Sequence, residues 1–323
     1  MAEENQIKEI INKARIAQNA FESFDQAGVD AIVKAIAKVV YDHAHELAYK
    51  AVAETGMGNY EDKAAKCLGK SKVIWNHLKD KKSVGVIGRD ATTGIVYVAK
   101  PKGVVGAIMP TTNPVVTLMC NAMYALKGRN SIIIAPHPRA KKITGETVSL
   151  MQQQIGKLGA PANLLQYIEE PSLALTQELM KAVDVLVATG GPEMVKAAYS
   201  SGKPSYGVGP GNVQVLLDRD IDYHDAAQKV IYGRKFDNGI ICSGEQTIIA
   251  PAEKYDDIIA AFTANDAFYI DDQTVVDKFR TALFEDGHLL VDAVGQSVVK
   301  IGELAGVEIP ENTKVILLRS NDK

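Results

Sequence analysis

Apolar residues recur every three to four positions through the N-terminal part of the chain. Within residues 5–53 the pattern includes Ile32 and Ile36, which fall on one face of a helix. The glycine-containing stretch TGMGNYEDK then interrupts the pattern, and a second helical run follows over residues 61–79. The N-terminal part is therefore predicted to be helical.

From residue 84 onward the period changes to that of a sheet. Short apolar runs punctuated by Gly and Pro, as in GIVYVAKPKGVVGAIMP, are typical of strands. Four consecutive strand-helix units then favour an α/β fold, with a parallel sheet whose ligands gather at the carboxyl ends of the strands. The four units are VVGAIM with VVTLMCNAMYALKG, SIIIAP with AKKITGETVSLMQQQIGKLG, NLLQYIE with LALTQELMKA, and VDVLVATGG with EMVKAAYS.

The pattern changes again near residue 231. A cysteine-containing loop is followed by the strand-like TIIAP, by helical stretches to about residue 305, and by the strand-like TKVILLR. A length of 323 residues favours two domains. We place the boundary between residues 1–230 and residues 231–323.

Composition narrows the class of protein. Hydrophobic residues make up 46% and charged residues 23% of the chain, as in globular proteins with a large core. A net charge of −3, with no basic stripe, argues against a nucleic-acid partner. The start of the chain is a charged amphipathic pattern, and no run of 18 apolar residues occurs. We therefore expect a cytoplasmic protein that binds no membrane.

The cysteines and histidines do not form a pattern that binds metal. Cys67, Cys120 and Cys242 are odd in number and far apart, which suits neither a disulfide framework nor a Cys-x-x-Cys site. The close pair His43 and His45 is spaced i, i+2, so its side chains do not share a helix face. A reducing compartment and no metal site are expected.

The turn after the strand VDVLVA contains Gly190 and Gly191, with Pro192 where a helix would begin. Free N–H groups and the helix dipole at such a start favour an anion, for example the pyrophosphate of a dinucleotide. Because no G-x-G-x-x-G fingerprint is present, an ordinary strand-to-helix turn is an equal alternative.

Two further polar residues have side chains suited to catalysis. Asn113 precedes Pro114, which favours an extended backbone and a displayed amide able to donate to an oxyanion. A simple Asn-Pro turn is the alternative. Cys242 follows a polar, Gly-containing loop, and its thiolate would be a competent nucleophile if its pKa were lowered. A buried inert thiol is the alternative, and Cys67 and Cys120 are expected to be structural.

Together these stretches resemble the aldehyde dehydrogenase superfamily, specifically its CoA-acylating branch and most closely the acylating succinate-semialdehyde dehydrogenases. The similarity runs from about residue 5 to residue 318. It implies a Rossmann-type NAD(P)-binding domain with N-terminal helices in residues 1–230. It also implies an α/β catalytic domain from 231, truncated because the family normally continues well past residue 323. The stretches that resemble the family are PTTNP, IAPHPRAKK, VATGGPEMVKAAYSSGKPSYGVGPGN and FDNGIICSGEQ.

The resemblance implies a mechanism. Cys242 would attack the aldehyde, and the Asn113 amide with the Cys242 N–H would hold the oxyanion. Hydrolytic members have a glutamate base where this chain has Gly207, in GVGPGN. Without that base, attack of water on the Cys242 thioester should be slow, and the CoA thiolate should take the acyl group instead. The implied reaction converts aldehyde, CoA and NAD(P)+ reversibly into acyl-CoA and NAD(P)H.

The resemblance also implies binding residues. Both NAD and NADP are possible cofactors, because Arg139 either pairs with a 2′-phosphate or is a solvated residue of a helix start. Ile241 and Ser243 are expected to contact the substrate, and Lys70 to bind a terminal anion on it. The residues expected at the cofactor are Thr111, Pro136, His137, Pro138, Arg139, Gly190, Gly191, Gly207 and Gly209.

Succinic semialdehyde is the preferred substrate, with acetaldehyde and sulfoacetaldehyde as alternatives. An acyl-phosphate reductase of the same fold and an inactive binding fragment are competing hypotheses. The expected partners are a small aldehyde and CoA, and the full-length enzyme is expected to form a homo-oligomer, a dimer or tetramer.

Overall fold

The computed structural model describes residues 2–319, which pack as two compact units. The first contains the chain up to Thr55 and again Lys63–Pro210. The second contains Gly56–Asp62 and the chain from Gly211 onward. This division differs from a boundary at residue 230, because residues 211–230 form a strand and part of a helix that pack within the second unit.

The helices of the N-terminal part agree with the apolar periodicity, so the prediction of helices over residues 5–53 and 61–79 is confirmed. Asp25 caps the helix that begins at Gln26 by accepting a hydrogen bond from the N–H of Gly28. These helices are α1 Ala2–Phe21, α2 Gln26–Asp42, α3 Ala44–Thr55 and α4 Tyr60–Leu78.

The predicted strand-helix units are also confirmed, and with them the α/β class. A five-stranded parallel sheet has the strand order β5-β4-β3-β6-β7. An antiparallel pair, β1 with β2, precedes it in the chain. The elements are β1 Gly85–Arg89, β2 Val96–Ala99, β3 Val104–Ile108, α5 Pro114–Lys127, β4 Ser131–Ala135, α6 Lys141–Gly156, β5 Leu165–Tyr167, α7 Leu173–Ala182, β6 Val185–Thr189, α8 Pro192–Tyr199 and β7 Ser205–Val208.

The central strands β3 and β4 consist almost entirely of apolar residues and glycine, because helices cover both faces of the sheet. Every residue of β3 and β4 is buried. Side chains alternate along β3, so that Val105 and Ala107 pack in the layer formed with α2, α5 and α6. Val104 and Ile108 pack in the opposite layer, with α1 and α7. Continuous burial therefore replaces the alternation of a half-exposed strand.

The second unit is built from two parallel strand pairs and their helices. β8 pairs with β9, and β10 pairs with β13. Phe262 and Phe279 are the largest buried side chains of its two apolar clusters. Its elements are β8 Val213–Leu216, α9 Tyr223–Lys235, β9 Glu245–Ile249, α10 Tyr255–Thr263, β10 Ala267–Ile270, α11 Gln273–Leu283, β11 Phe284–Glu285, β12 His288–Leu289, α12 Val298–Ala305 and β13 Val315–Leu318.

Within residues 2–319, no helix has both the length and the apolar character needed to span a membrane.

Candidate active site

The carboxyl ends of four adjacent strands lie at one edge of the parallel sheet. Ile108 at the end of β3 is in register with Ala135 of β4 and with Ala188 of β6, and Thr189 is in register with Val208 of β7. The turns that follow these strands therefore emerge side by side, where ligands of open α/β sheets bind. They contain the residues that sequence analysis expected at the cofactor, except Gly207, which lies on β7 itself.

The turn between β6 and α8 has the features of an anion site. Gly191 is the N-cap of α8, with Pro192 in the first turn, and no side chain caps the helix. A Cβ atom on Gly191 would have no neighbour within 4 Å, and the same holds for Gly209. Open space beside Gly191 and a helix start without a side-chain cap together fit a dinucleotide pyrophosphate.

The turn after β4 is organised by His137. Its Nδ1 accepts a hydrogen bond of 3.1 Å from the N–H of Arg139 and caps the short 3-10 helix Pro138–Ala140. Burial, together with the charge of Arg139, lowers the pKa of His137 below its ordinary value. The ring is therefore neutral at pH 7, and an accepting Nδ1 leaves the proton on Nε2. Arg139 itself is exposed, so its guanidinium is available to a phosphate.

The start of α6, by contrast, is already occupied by a carboxylate. Glu54 on α3 accepts hydrogen bonds from the N–H groups of Lys142 and Ile143, at 2.9 and 2.7 Å. This carboxylate satisfies the orphan donors at the helix start and complements its dipole. The pyrophosphate of a dinucleotide is consequently better placed at α8 than at α6.

Gly207 on β7 lies against α8. A Cβ atom there would lie 2.6 Å from Val195 Cγ1 and 2.7 Å from Tyr199 Cε2. The Tyr199 hydroxyl also accepts a hydrogen bond of 3.1 Å from the Gly207 N–H. Side chains of α8 thus fill the space that a side chain at position 207 would enter, so a glutamate base does not fit there without a change in packing.

Asn113 is the N-cap of α5, but its side chain makes no capping hydrogen bond. Its Oδ1 instead accepts a hydrogen bond from the ammonium group of Lys66 on α4. Lys63, one turn earlier, donates to the Thr112 carbonyl at 3.1 Å. Thr111, which sequence analysis expected at the cofactor, is buried in the same turn.

A small cavity adjoins these groups within the first unit. Its volume of about 20 Å³ is that of one water molecule, so it does not hold an aldehyde or CoA. Lys63 and Lys66 are the two charged residues in its wall, and both are buried. The lining residues are Ala48, Ala51, Lys63, Lys66, Cys67, Asn113, Pro114, Val115 and Val116.

Lys70, the expected anion-binding residue, lies one turn beyond Lys66 on α4 and is exposed. Its charge acts on Cys120: burial raises the pKa of that thiol to about 11, and Lys70 opposes the rise. A thiol with this pKa is almost entirely protonated at neutral pH, so Cys120 is not a nucleophile. Cys67 is buried, and both cysteines fit the structural role that sequence analysis predicted.

Cys242 is exposed at the tip of a turn in the second unit. The Gly244 N–H donates to the Ile241 carbonyl at 3.0 Å, so Cys242 and Ser243 are the central residues of the turn. Among the described residues the Cys242 N–H has no hydrogen-bond acceptor, which leaves it available to an oxyanion. A Cβ atom on Gly211 would lie 2.0 Å from the Cys242 carbonyl oxygen, so only glycine fits beside the turn.

The loop that precedes Cys242 is held by a buried carboxylate rather than being a loose polar segment. Asp237 and Asn238 both have φ of 53°, a left-handed conformation that Asp and Asn tolerate better than most residues. Asp237 is fully buried, and its Oδ1 accepts a hydrogen bond of 3.0 Å from the Asn59 N–H. Its own N–H donates to Asp62 Oδ2 at 2.7 Å.

Sequence reasoning missed Lys66, Asp237 and Tyr199. Two of them had a readable signal: Asp237 begins an Asp-Asn-Gly turn, and Lys66 lies on the helical face that continues to Lys70. Nothing in the sequence indicates that Tyr199 folds back onto Gly207. Cys242, Ser243 and Ile241 lie in the second unit, whereas Asn113, Lys70 and the expected cofactor residues lie in the first.

Comparison with known proteins identifies the family. The profile described as the aldehyde dehydrogenase family matches residues 1–273. A succinate-semialdehyde dehydrogenase (acetylating) from Clostridium kluyveri is 58% identical over 319 residues, which are 99% of this chain and 70% of that protein. A sulfoacetaldehyde dehydrogenase from Acholeplasma sp is 42% identical over 313 residues, 95% of this chain and 65% of that protein.

Comparison with solved structures leads to the same family. An acetylating aldehyde dehydrogenase from Geobacillus thermoglucosidasius superposes with a TM-score of 0.95 at 37% identity, over 99% of this chain and 71% of that one. A Rhodopseudomonas palustris propionaldehyde dehydrogenase with bound CoA and an acylated cysteine gives 0.87 at 32% identity, over 98% and 73%. An engineered glycolyl-CoA reductase with bound NADP+ gives 0.86 at 32%, over 98% and 72%. The resemblance to acylating enzymes is confirmed, and the chain belongs to the aldehyde dehydrogenase family, a family of oxidoreductases.

Proposed function

We propose that this protein is a CoA-acylating aldehyde dehydrogenase that converts a small aldehyde, CoA and NAD(P)+ reversibly into acyl-CoA and NAD(P)H. Gly207 is the observation that carries the proposal. No carboxylate is available at that position to activate water, and Val195 and Tyr199 fill the space that a side chain would need. Water therefore attacks a thioester on the enzyme slowly, and a better nucleophile such as the CoA thiolate takes the acyl group.

In the proposed mechanism the Cys242 thiolate attacks the aldehyde carbon. The carbonyl oxygen becomes an oxyanion, which accepts hydrogen bonds from the Asn113 amide and the Cys242 N–H. When bound, NAD(P)+ supplies the hydride acceptor that this oxidation needs. The acyl group is left as a thioester on Cys242. The CoA thiolate then attacks it, and the Cys242 sulfur leaves as a thiolate, so the enzyme is regenerated without a general base.

We propose that the nicotinamide cofactor binds at the carboxyl edge of the parallel sheet. The uncapped start of α8 at Gly190 and Gly191 suits its pyrophosphate, and Pro136, His137 and Pro138 would line the adenosine end. The exposed Arg139 would accept a 2′-phosphate, so both NAD and NADP are proposed. The relative that binds NADP+ supports the second possibility.

Succinic semialdehyde is the proposed substrate, because the relative named for it is 58% identical to this chain. Succinic semialdehyde and sulfoacetaldehyde both carry a terminal anion, and the exposed ammonium of Lys70 is the proposed partner for it. Ile241 and Ser243, which flank Cys242, are proposed to contact the aldehyde itself. We also propose that the enzyme forms a homo-oligomer.

The test is NADH formation from succinic semialdehyde with and without CoA. We expect steady turnover only with CoA, and at most one equivalent of NADH per enzyme without it. Cys242→Ala should abolish both, whereas Cys120→Ala, which removes a buried thiol, should retain them. Free acid released at the full rate in the absence of a thiol would refute the proposal. A requirement for phosphate instead of CoA would indicate an acyl-phosphate reductase, and cofactor binding without turnover would indicate a binding fragment.

A further inference from the structure

Asn113 departs from the usual behaviour of an asparagine at a helix start. An N-cap asparagine ordinarily accepts a hydrogen bond from an N–H group of the first turn. Here no such bond forms, and Oδ1 accepts from the Lys66 ammonium instead. The side chain that would stabilise α5 is thus used for another purpose, at the cost of leaving the first N–H groups of the helix without a side-chain acceptor.

The chemistry of the partner decides which way the amide faces. An asparagine presents an acceptor at one end of its amide and two donors at the other, and an uncapped amide can turn either end outward. A lysine ammonium has donors only, so it binds Oδ1 and excludes the opposite orientation. Lys66 therefore turns the Nδ2 donors away from α4, and only donors stabilise an oxyanion.

The neighbouring lysine makes a useful contrast. Lys63 donates to the main-chain carbonyl of Thr112 and so fixes the backbone of the turn. Lys66 instead donates to the side chain of Asn113. Anchoring of the loop and orientation of the amide are thus separate tasks of two residues on one helix face. Both lysines are buried, and low local polarity strengthens a charge-assisted hydrogen bond.

We propose that Lys66 is a positioning residue that orients the Asn113 amide, so that its N–H groups face the carbonyl under attack. The positive charge also draws electron density toward Oδ1, which makes the Nδ2–H groups better donors. Lys66 does not touch the substrate in this proposal. The inference rests on the proposed function, in which Asn113 binds the oxyanion.

The test compares Lys66→Met, Asn113→Ala and the double variant by the rate of NADH formation in a single turnover and by kcat and KM. Removing an oxyanion donor lowers kcat by roughly 10²- to 10³-fold. We expect Lys66→Met to lower kcat by about 10- to 100-fold at an unchanged KM, because the amide keeps its donors but loses its orientation. In the Asn113→Ala background, Lys66→Met should have no further effect, since the group that it orients is gone. Lys66→Arg, which also offers donors only, should restore part of the rate.

Lys127→Met is the matched control for loss of a buried lysine. Lys127 pairs with Asp30 and is the last residue of α5, the helix that Asn113 precedes, roughly 20 Å from Asn113 along 14 residues. The Lys127→Met substitution should lower the melting temperature and leave kcat unchanged. Two results would overturn the inference: a wild-type kcat for Lys66→Met, or a loss of kcat from Lys66→Met that is equally large in the Asn113→Ala background. If Asn113→Ala were still defective in that case, the proposed oxyanion site would stand without the role of Lys66. A wild-type rate for Asn113→Ala would overturn the role of Asn113, and the inference with it.

Discussion

Replacement of Asp237 by alanine tests how the loop before the candidate nucleophile is held. The substitution removes the fully buried carboxylate that accepts from the partly buried Asn59 N–H, and an unsatisfied buried donor costs about 1–3 kcal/mol. It also places alanine at φ of 53°, which costs about 1–2 kcal/mol in the left-handed region. Because aspartate already bears part of that backbone cost, we expect a total loss of about 2–4 kcal/mol.

Asp237→Gly separates the two contributions. Glycine adopts a positive φ without penalty, so this variant loses only the hydrogen bonds of the carboxylate. We expect it to be less destabilised than Asp237→Ala by about 1–2 kcal/mol. The two variants together therefore measure the hydrogen bond and the backbone strain independently.

Native-state hydrogen exchange followed by mass spectrometry is the appropriate assay, because a chain with two units need not unfold in one step. Peptides covering residues 56–62 and 236–244 should exchange roughly 30- to 1,000-fold faster in Asp237→Ala, which corresponds to 2–4 kcal/mol. Peptides from β3 and β4 of the first unit serve as the internal control. Wild-type exchange in Asp237→Ala, or equal acceleration in the glycine and alanine variants, would refute the reasoning.

Three further predictions follow from the candidate site. Lys70→Met should raise KM for succinic semialdehyde about 2- to 5-fold, as expected for an exposed ion pair, and leave KM for acetaldehyde unchanged; equal effects on both would contradict the assignment. Gly207→Glu should lose about 1–3 kcal/mol of stability by overpacking against Val195 and Tyr199 and should not release free acid. Adding Val195→Ala and Tyr199→Ala to Gly207→Glu should make room for the glutamate side chain and speed thioester hydrolysis. If Gly207→Glu alone hydrolysed the thioester equally fast, packing against α8 would be irrelevant. For His137, whose pKa is lowered by burial, protonation removes the Nδ1 acceptor, so calorimetric affinity for NAD(P)+ should fall as the pH drops below 6.5. His137→Asn, a cap that does not titrate, should abolish that pH dependence.

The parallel sheet was predictable because burial on both faces leaves a direct trace in the sequence. β4 reads SIIIA, and all five residues are buried between helix layers. The turns at its carboxyl edge were predictable for the same reason, since each comes directly after an apolar run. Once the strands are known to be parallel, the spatial proximity of these turns follows without further information.

The grouping of residues 56–62 with the second unit was not predictable in this way. Asn59 bonds to a residue 178 positions later, and no periodic pattern encodes such a pairing. The sequence before Cys242 suggested a polar, Gly-containing loop, whereas the structure buries Asp237 completely. Polarity indicated exposure here, but a carboxylate that is fully hydrogen-bonded can be buried as the centre of a turn.

The lysines of α4 show a similar limit of prediction from sequence. Lys63, Lys66 and Lys70 share one face of α4, and their sequence alone does not say which are buried. The resemblance pointed to the exposed Lys70, which suits a substrate anion. The buried Lys66, which contacts Asn113, became visible only from the side-chain geometry.

In the proposed mechanism, the choice between water and CoA as acyl acceptor depends on the packing at Gly207 and not only on the absence of a base there. A base that was merely missing could be restored by a single substitution. In this chain the helix α8 fills the space beside Gly207, and Tyr199 bonds to the backbone at the same position. Restoring hydrolysis therefore requires repacking of α8 against β7, the same helix whose start is proposed to bind the cofactor. If α8 binds the cofactor as proposed, a change toward hydrolysis would also disturb cofactor binding.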